Sequence, residues 1–220
     1  MSDSKWDSFR KSGRNGTNER YTPDSILNLA VKVLDGIDLD PCADPKKRVP
    51  AKKHFTEDDD GLEQAWQGTI FLNPPFSDPG AWLRHLTLYY EAQKVKAALV
   101  LVPVMVLGNK SAQHLLKIHS SAITILNRRT SFLDADYKVL PAQLPYPCAL
   151  IYLGPHTSRF LKLTSEMGVP CLVKPSSTER EVFGTCSYCG KPFTGLRSTA
   201  KYCSRTCRVQ QYRRKRQERN

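Results

Sequence analysis

The chain has 220 residues, 40% of them hydrophobic, and a formal net charge of +12. That length supports one real core and a small satellite module. No apolar run approaches the ~20 residues of a membrane span, and residues 1–20 lack the apolar stretch of a secretory signal, so a cytoplasmic protein with no membrane partner is expected.

The charge is uneven. Residues 185–220 hold ten Lys/Arg and one acidic residue, whereas residues 1–184 hold 23 and 20. A basic C-terminal segment on a nearly balanced body implies a polyanionic partner, most simply nucleic acid. The cysteines divide in the same way. Cys42, Cys148 and Cys171 are scattered through the body, while Cys186, Cys189, Cys203 and Cys207 crowd the tail. An odd total with isolated members argues against a secreted disulfide framework.

Residues 1–20 are polar and read as a flexible N-terminal segment, with Trp6 and Phe9 as its aromatic residues. A helix is predicted to open at Tyr21-Thr22-Pro23-Asp24. Thr22 is the expected N-cap, Pro23 takes the first helical position, and Asp24 favours the positive end. Ile26, Leu27, Ala30, Val31 and Leu34 give its apolar face, and Asp35-Gly36 ends it. Ile37 to Asp40 is a short strand leading into Pro41-Cys42-Ala43-Asp44-Pro45. Lys46 to His54 reads as a basic turn, and no clear second strand follows. An acidic loop, Glu57 to Asp60, precedes Gly61.

Thr69 to Leu72 is a buried strand ending in Asn73-Pro74-Pro75-Phe76, followed by a helix over Ala81 to Ala92. The unbroken apolar run Ala97 to Val106 fits a central parallel strand that stops near Pro103. A helix over Lys110 to His119 and a strand over Ala122 to Leu126 come next. Asp134 to Pro147 is a Pro-rich excursion. A strand over Ala149 to Leu153 and a helix over Ser158 to Met167 complete the body. This alternation indicates an α/β domain with a mostly parallel sheet over residues 21–173. Residues 174–184 read as a linker, 185–208 as a four-Cys module and 209–220 as a basic tail.

The module reads Cys186-x2-Cys189-x13-Cys203-x3-Cys207. Two pairs that each grip one ion make a tetrahedral four-thiolate set, the pattern of structural Zn2+. Gly190 follows the first pair, where a tight knuckle needs it. So short a segment cannot bury a core, so the metal supplies its folding energy. Four thiolates leave no open position for catalysis. Tyr188, Phe193 and Tyr202 are the expected mini-core. Lys201, Arg205, Arg208, Arg213, Arg214, Lys215 and Arg216 suit phosphate contact; a solvated terminal charge run is the plainer reading.

Asn73-Pro74-Pro75-Phe76 stands at the carboxyl end of a strand, where open α/β sheets bind ligands. An Asn side-chain oxygen and a neighbouring carbonyl both accept hydrogen bonds from an exocyclic amine. The prolines stiffen the loop, and the aromatic stacks on a planar base. Taken alone, the tetrad is equally a Pro-rich turn.

The tetrad resembles that of the S-adenosyl-L-methionine-dependent amino-methyltransferases, written Asn or Asp, Pro, Pro and an aromatic. Thr22-Pro23, Ile37-Asp38-Leu39-Asp40-Pro41, Asp60-Gly61-Leu62 and Trp66 precede it in order. Over residues 20–170 the set resembles the small phage-type N6-adenine DNA methyltransferases. That resemblance implies a reduced Rossmann-like methyltransferase sheet with a C-terminal zinc finger. It implies direct methyl transfer from S-adenosyl-L-methionine to an adenine flipped out of double-stranded DNA. Thr22, Pro23, Asp40, Pro41, Cys42, Ala43 and Asp60 are thereby expected on the cofactor. Asn73 and Pro74 are expected to hold the target amine, Pro75 to shape the loop and Phe76 to stack on the base.

The chain departs from the pattern at Asp44-Pro45, where many methyltransferases carry a glycine turn. The ribose carboxylate falls to Glu57, Asp58 or Asp59, or that element is trimmed. Residues 127–147, with Arg128 and Arg129, are the expected target-recognition segment. Methylation of cytosine N4, RNA or a protein amide stands as the alternative. So does non-catalytic DNA binding through the zinc finger.

Overall fold

The computed structural model describes residues 20–134, 136–140, 144–174, 182–195 and 201–217. Most of the N-terminal segment and linker, and the last three residues of the basic tail, lie outside the described residues.

The body runs α1 (Asp24–Leu34), β1 (Ile37–Asp40), β2 (Ala51–His54), β3 (Gly68–Leu72), α2 (Pro79–Glu91), β4 (Val95–Pro103), α3 (Lys110–Ile118), β5 (Ala122–Leu126), β6 (Cys148–Leu153), α4 (Thr157–Thr164) and β7 (Gly168–Leu172). These strands form one sheet in the order β2-β1-β3-β4-β6-β5-β7. The ladders from β2 through β4 are parallel. Those joining β4 to β6, β6 to β5 and β5 to β7 are antiparallel. The sheet is therefore mixed, a Rossmann-like methyltransferase arrangement with antiparallel ladders on one side.

Both faces are covered. Residues of β4 alternate between two cores: Ala97, Leu99 and Leu101 point into one with α1 and Phe160 of α4. Ala98, Val100 and Val102 point into the other with Leu83 and Leu86 of α2 and Ala112 and Leu115 of α3. This double burial is why β4 reads as an unbroken apolar run.

Lys46 to His54 is not simply a turn. Ala51–His54 pairs in parallel with β1 as an edge strand. Exposed Lys52 and Lys53 hide its periodicity, as lysines on edge strands commonly do. Lys52 Nζ lies 2.8 Å from Asp38 Oδ1 on β1. The reduction falls on the connections instead. Neither β1 to β2 nor β2 to β3 carries an α-helix, and a 3-10 turn at Glu57–Asp59 fills part of the second gap.

Thr22 does not cap α1. Pro23 takes that place without a side-chain cap, and its carbonyl accepts from Ile26 N–H at 2.9 Å. Asp78 does cap α2, accepting from Ala81 N–H at 3.1 Å, with Pro79 beginning the helix.

The C-terminal module is a hairpin, β8 (Val182–Thr185) and β9 (Pro192–Gly195), followed by α5 (Arg205–Gln217). Its first strand begins inside the segment read as linker. The hairpin packs near α2, and Lys191 Nζ in its turn lies 2.8 Å from Glu63 Oε2 in the loop before β3.

Candidate active site

The carboxyl ends of β1 and β3 are neighbours, because Leu39 and Ile70 are paired. Parallel pairing aims both strands the same way, so the loop after Asp40 and the loop after Leu72 emerge side by side. The Cys42 thiol donates to the Asn73 carbonyl at 3.1 Å. Burial pushes that thiol well above its ordinary range, so it stays protonated as a donor.

Asp40 is only 3% exposed. Burial pushes its carboxyl up to about 7; the Cys42 N–H opposes the shift and the Asp44 charge adds to it. Asp40 Oδ1 accepts from Cys42 N–H at 3.3 Å. Phe55, just past β2, pins this loop: its N–H donates to the Asp40 carbonyl at 2.9 Å, and its carbonyl accepts from Ala43 N–H at 2.8 Å.

Gly61 closes the same wall. A Cβ there would collide with the Pro41 carbonyl and meet the Trp82 ring at 3.2 Å. Buried Trp66 fixes this turn by donating its indole N–H to the Gly61 carbonyl at 2.8 Å. Asp60 beside it is exposed in a left-handed conformation, with φ 45°, and its carboxylate accepts from Leu62 N–H at 3.2 Å. Asp59 turns inward to Thr56, accepting from its N–H at 2.8 Å and its hydroxyl at 2.9 Å.

Asn73 is held on three sides. Its Nδ2 donates to the Arg20 carbonyl and to Thr22 Oγ1, each at 3.1 Å, and its carbonyl accepts from Cys42. The remaining polar atom, Oδ1, is buried without a hydrogen-bond partner. Such a buried acceptor is costly unless a ligand completes it. Thr22 thus meets the tetrad directly.

Pro74 is buried, Pro75 exposed and Phe76 half-buried. The Phe76 ring meets Phe132 edge-on at 5.7 Å, and the Arg20 guanidinium lies 5.7 Å from its centroid. Phe132 comes from the segment after β5 and pairs that segment with the site. Leu133 exchanges both backbone hydrogen bonds with Tyr21, each at 3.0 Å. Arg48 adds a second tie. Its guanidinium lies 3.7 Å from the Tyr21 ring centroid and 4.1 Å from that of Tyr137, and it donates to the Asp134 carbonyl at 3.1 Å.

Arg20, Arg48, Gly61 and Phe132 carry no local motif that marks them. Only Gly61 stood within the resembling set, and only Phe132 within the nominated excursion. Arg128 and Arg129 are exposed; with Pro23, Ser25 and Ile26 they line an open cavity of about 380 Å³.

In the C-terminal module, the four sulphurs of Cys186, Cys189, Cys203 and Cys207 lie within 4.8 Å of one another. Cys189 and Cys203 are 3.6 Å apart, Cys203 and Cys207 3.4 Å. A tetrahedral ion with Zn–S bonds of ~2.3 Å needs separations of ~3.8 Å, so the set fits structural Zn2+. Gly190 makes the knuckle at φ +71°, and Cys186 N–H donates to the Lys191 carbonyl at 2.8 Å. Ser204 Oγ accepts from Cys207 N–H at 3.1 Å, holding the second pair at the start of α5. Burial raises the Cys186 thiol, but the N–H groups of Cys189, Cys203 and Tyr188 outweigh it and leave the group at about 6. Burial and the neighbouring thiols push Cys203 up to about 12. A cation is what lets all four ionise together. Phe193 is buried in this module as expected, whereas Tyr188 is 41% exposed and forms no part of a mini-core.

A mixed sheet with its ligand loops gathered at the ends of β1 and β3, and an Asn-Pro-Pro-Phe turn in that crevice, defines an amino-methyltransferase that uses S-adenosyl-L-methionine. A family model described as DNA N-6-adenine-methyltransferase (Dam) matches residues 15–163. The chain belongs to that family and is an S-adenosyl-L-methionine-dependent DNA adenine-N6 methyltransferase. No curated protein matches it. Among the described residues no helix is long and apolar enough to cross a membrane.

Proposed function

We propose that Asn73 and the Pro74 carbonyl hold the exocyclic amine of an adenine swung out of duplex DNA in the cytoplasm. The observation that carries this reading is the buried Asn73 Oδ1 with no partner. An aromatic amine is a poor nucleophile because its lone pair is delocalised into the ring. Two acceptors on its N–H groups favour a tetrahedral nitrogen and stabilise the positive charge that develops there. The bound S-adenosyl-L-methionine supplies an already electrophilic methyl group.

The chain's own work is alignment and exclusion of water. Pro75 stiffens the turn. Phe76 faces the extruded base, its far edge braced by Phe132. On the cofactor side, Asp40 supports the Pro41-Cys42-Ala43 loop around the methionine portion, and a buried carboxylate suits its ammonium group. Pro23, at the start of α1, supports this wall, and Asp60 lies nearest the adenine end. The 3-10 turn that follows β2 supplies an acidic residue, Glu57, for the ribose hydroxyls. Arg128, Arg129 and the exposed Lys201 and Arg208 of the zinc module are placed to meet phosphates.

Labelled S-adenosyl-L-methionine, duplex DNA and the purified protein, followed by nucleoside analysis, test this reading. Labelled N6-methyladenine is expected, and Asn73→Ala is expected to slow its formation roughly 10²–10³-fold while DNA binding persists. Label on cytosine, RNA or protein, or an Asn73→Ala protein with full activity, overturns it.

A further inference from the structure

We propose that Glu91, His114 and His119 form a second metal site, for a borderline divalent ion such as Zn2+, that shares no residue with the tetrad or the four cysteines. Glu91 is the last residue of α2, His114 lies in α3, and His119 directly follows α3. Both helices start near the carboxyl ends of β3 and β4 and run back along the sheet. Their last turns therefore meet at the opposite, amino end of those strands, close to the start of β5.

One donor atom from each of the three residues lies within 4.8 Å of the other two. His119 Nε2 is 2.7 Å from Glu91 Oε1, and His114 Nε2 is 4.0 Å from the same oxygen. The Glu91 side chain is only 10% exposed, and its second oxygen, Oε2, is buried without a hydrogen-bond partner. An ordinary His–carboxylate pair explains Oε1 and one imidazole. It leaves Oε2 unsatisfied, which is costly in a buried carboxylate.

An ion satisfies that oxygen. Two imidazole nitrogens and a carboxylate are the N/O donors that zinc takes, with water completing a tetrahedron. Bonds of ~2.0–2.1 Å place such donors roughly 3.4 Å apart, so on metal binding His119 draws back from its 2.7 Å contact with Oε1 and His114 closes in from 4.0 Å. The Tyr90 ring meets His119 edge-on at 5.7 Å and limits its orientation. The ion clips the end of α2 to the end of α3. It takes no part in methyl transfer, because the tetrad lies at the other end of these helices.

Cobalt(II) titrated into the metal-free full-length protein reads the two centres separately. The four-thiolate centre gives an intense sulphur-to-metal charge-transfer band, and an N/O centre gives weak d–d absorption alone. Two equivalents are expected in the unmodified chain, the second without charge transfer. Glu91→Gln and His114→Gln, on different helices, are each expected to lose that second equivalent while keeping the charge-transfer band and methyl transfer. Retained methyl transfer shows that the body of each variant is folded, and the retained band that its thiolate centre is intact. Binding of a single equivalent by the unmodified chain, or retention of two by either variant, overturns the proposal.

Discussion

Thr22 Oγ1 and the Arg20 carbonyl both receive hydrogen bonds from Asn73 Nδ2 at 3.1 Å. A carbonyl can only accept, so the amide must present its nitrogen there and its oxygen to the crevice. Thr22 is in this respect a positioning residue for the amine acceptor. Removing a preorganised group of this kind typically costs roughly 10²–10³ in kcat, the expected loss for Asn73→Ala. Thr22→Val keeps the Arg20 bond and is expected to lower kcat by about tenfold, a fraction of that full effect, with little change in the cofactor KM. A raised cofactor KM at unchanged kcat in steady-state assays would instead place Thr22 on the cofactor.

Asp40 carries a carboxyl that burial raises to about 7. The folded protein holds this proton more tightly than the unfolded chain does. Stability from this group is greatest below about pH 4, falls as pH rises to about 7, and is level beyond. Asp40→Asn is therefore expected to melt higher than the unmodified, ligand-free protein near pH 8, with a smaller gap near pH 5. Thermal melts at the two pH values check this, and an equal gap at both overturns it.

Gly61→Ala puts a methyl group into the Pro41 carbonyl, a backbone atom that cannot swing aside. Overpacking of this kind costs about 1–3 kcal/mol. Calorimetry is expected to show a lower melting temperature, and kinetics a raised KM for S-adenosyl-L-methionine.

Cys207→Ser breaks the four-sulphur set at the residue that joins the metal to α5. One zinc per chain is expected to be lost from the thiolate centre, with DNA affinity and its salt dependence both reduced. Cofactor binding, measured calorimetrically, is expected to persist because Asp40 and Asn73 lie in the body.

Much of the architecture is legible from local pattern. Ile37–Asp40 and Ala122–Leu126 have the bounds expected from the sequence, and β4 stops at Pro103. Edge strands are the exception. In Ala51–His54 two residues are exposed lysines, and Gly168–Leu172 exposes Val169 and Leu172, so neither shows an alternating apolar pattern. Their strand character comes from partners, not from their own side chains. The site divides in the same way. The tetrad's place at the end of β3 is readable from a strand followed by prolines. The direction of the Asn73 amide depends on Thr22 and Arg20, 51 and 53 positions away, and no local signal encodes it.

The Cys42 thiol and the Asn73 carbonyl are joined at 3.1 Å, so the two pockets share a wall. Any movement of the Pro41-Cys42-Ala43 loop on one ligand's arrival shifts the backbone that receives the other. Linkage then makes the effect reciprocal: whatever factor the cofactor applies to base affinity, the base applies to cofactor affinity. Cys42→Ala, which cuts that tie, is expected to bring the two affinities closer to independence. Calorimetric titrations with each ligand, in the presence and absence of the other, measure how far the donor and acceptor halves of this reaction are one thermodynamic unit.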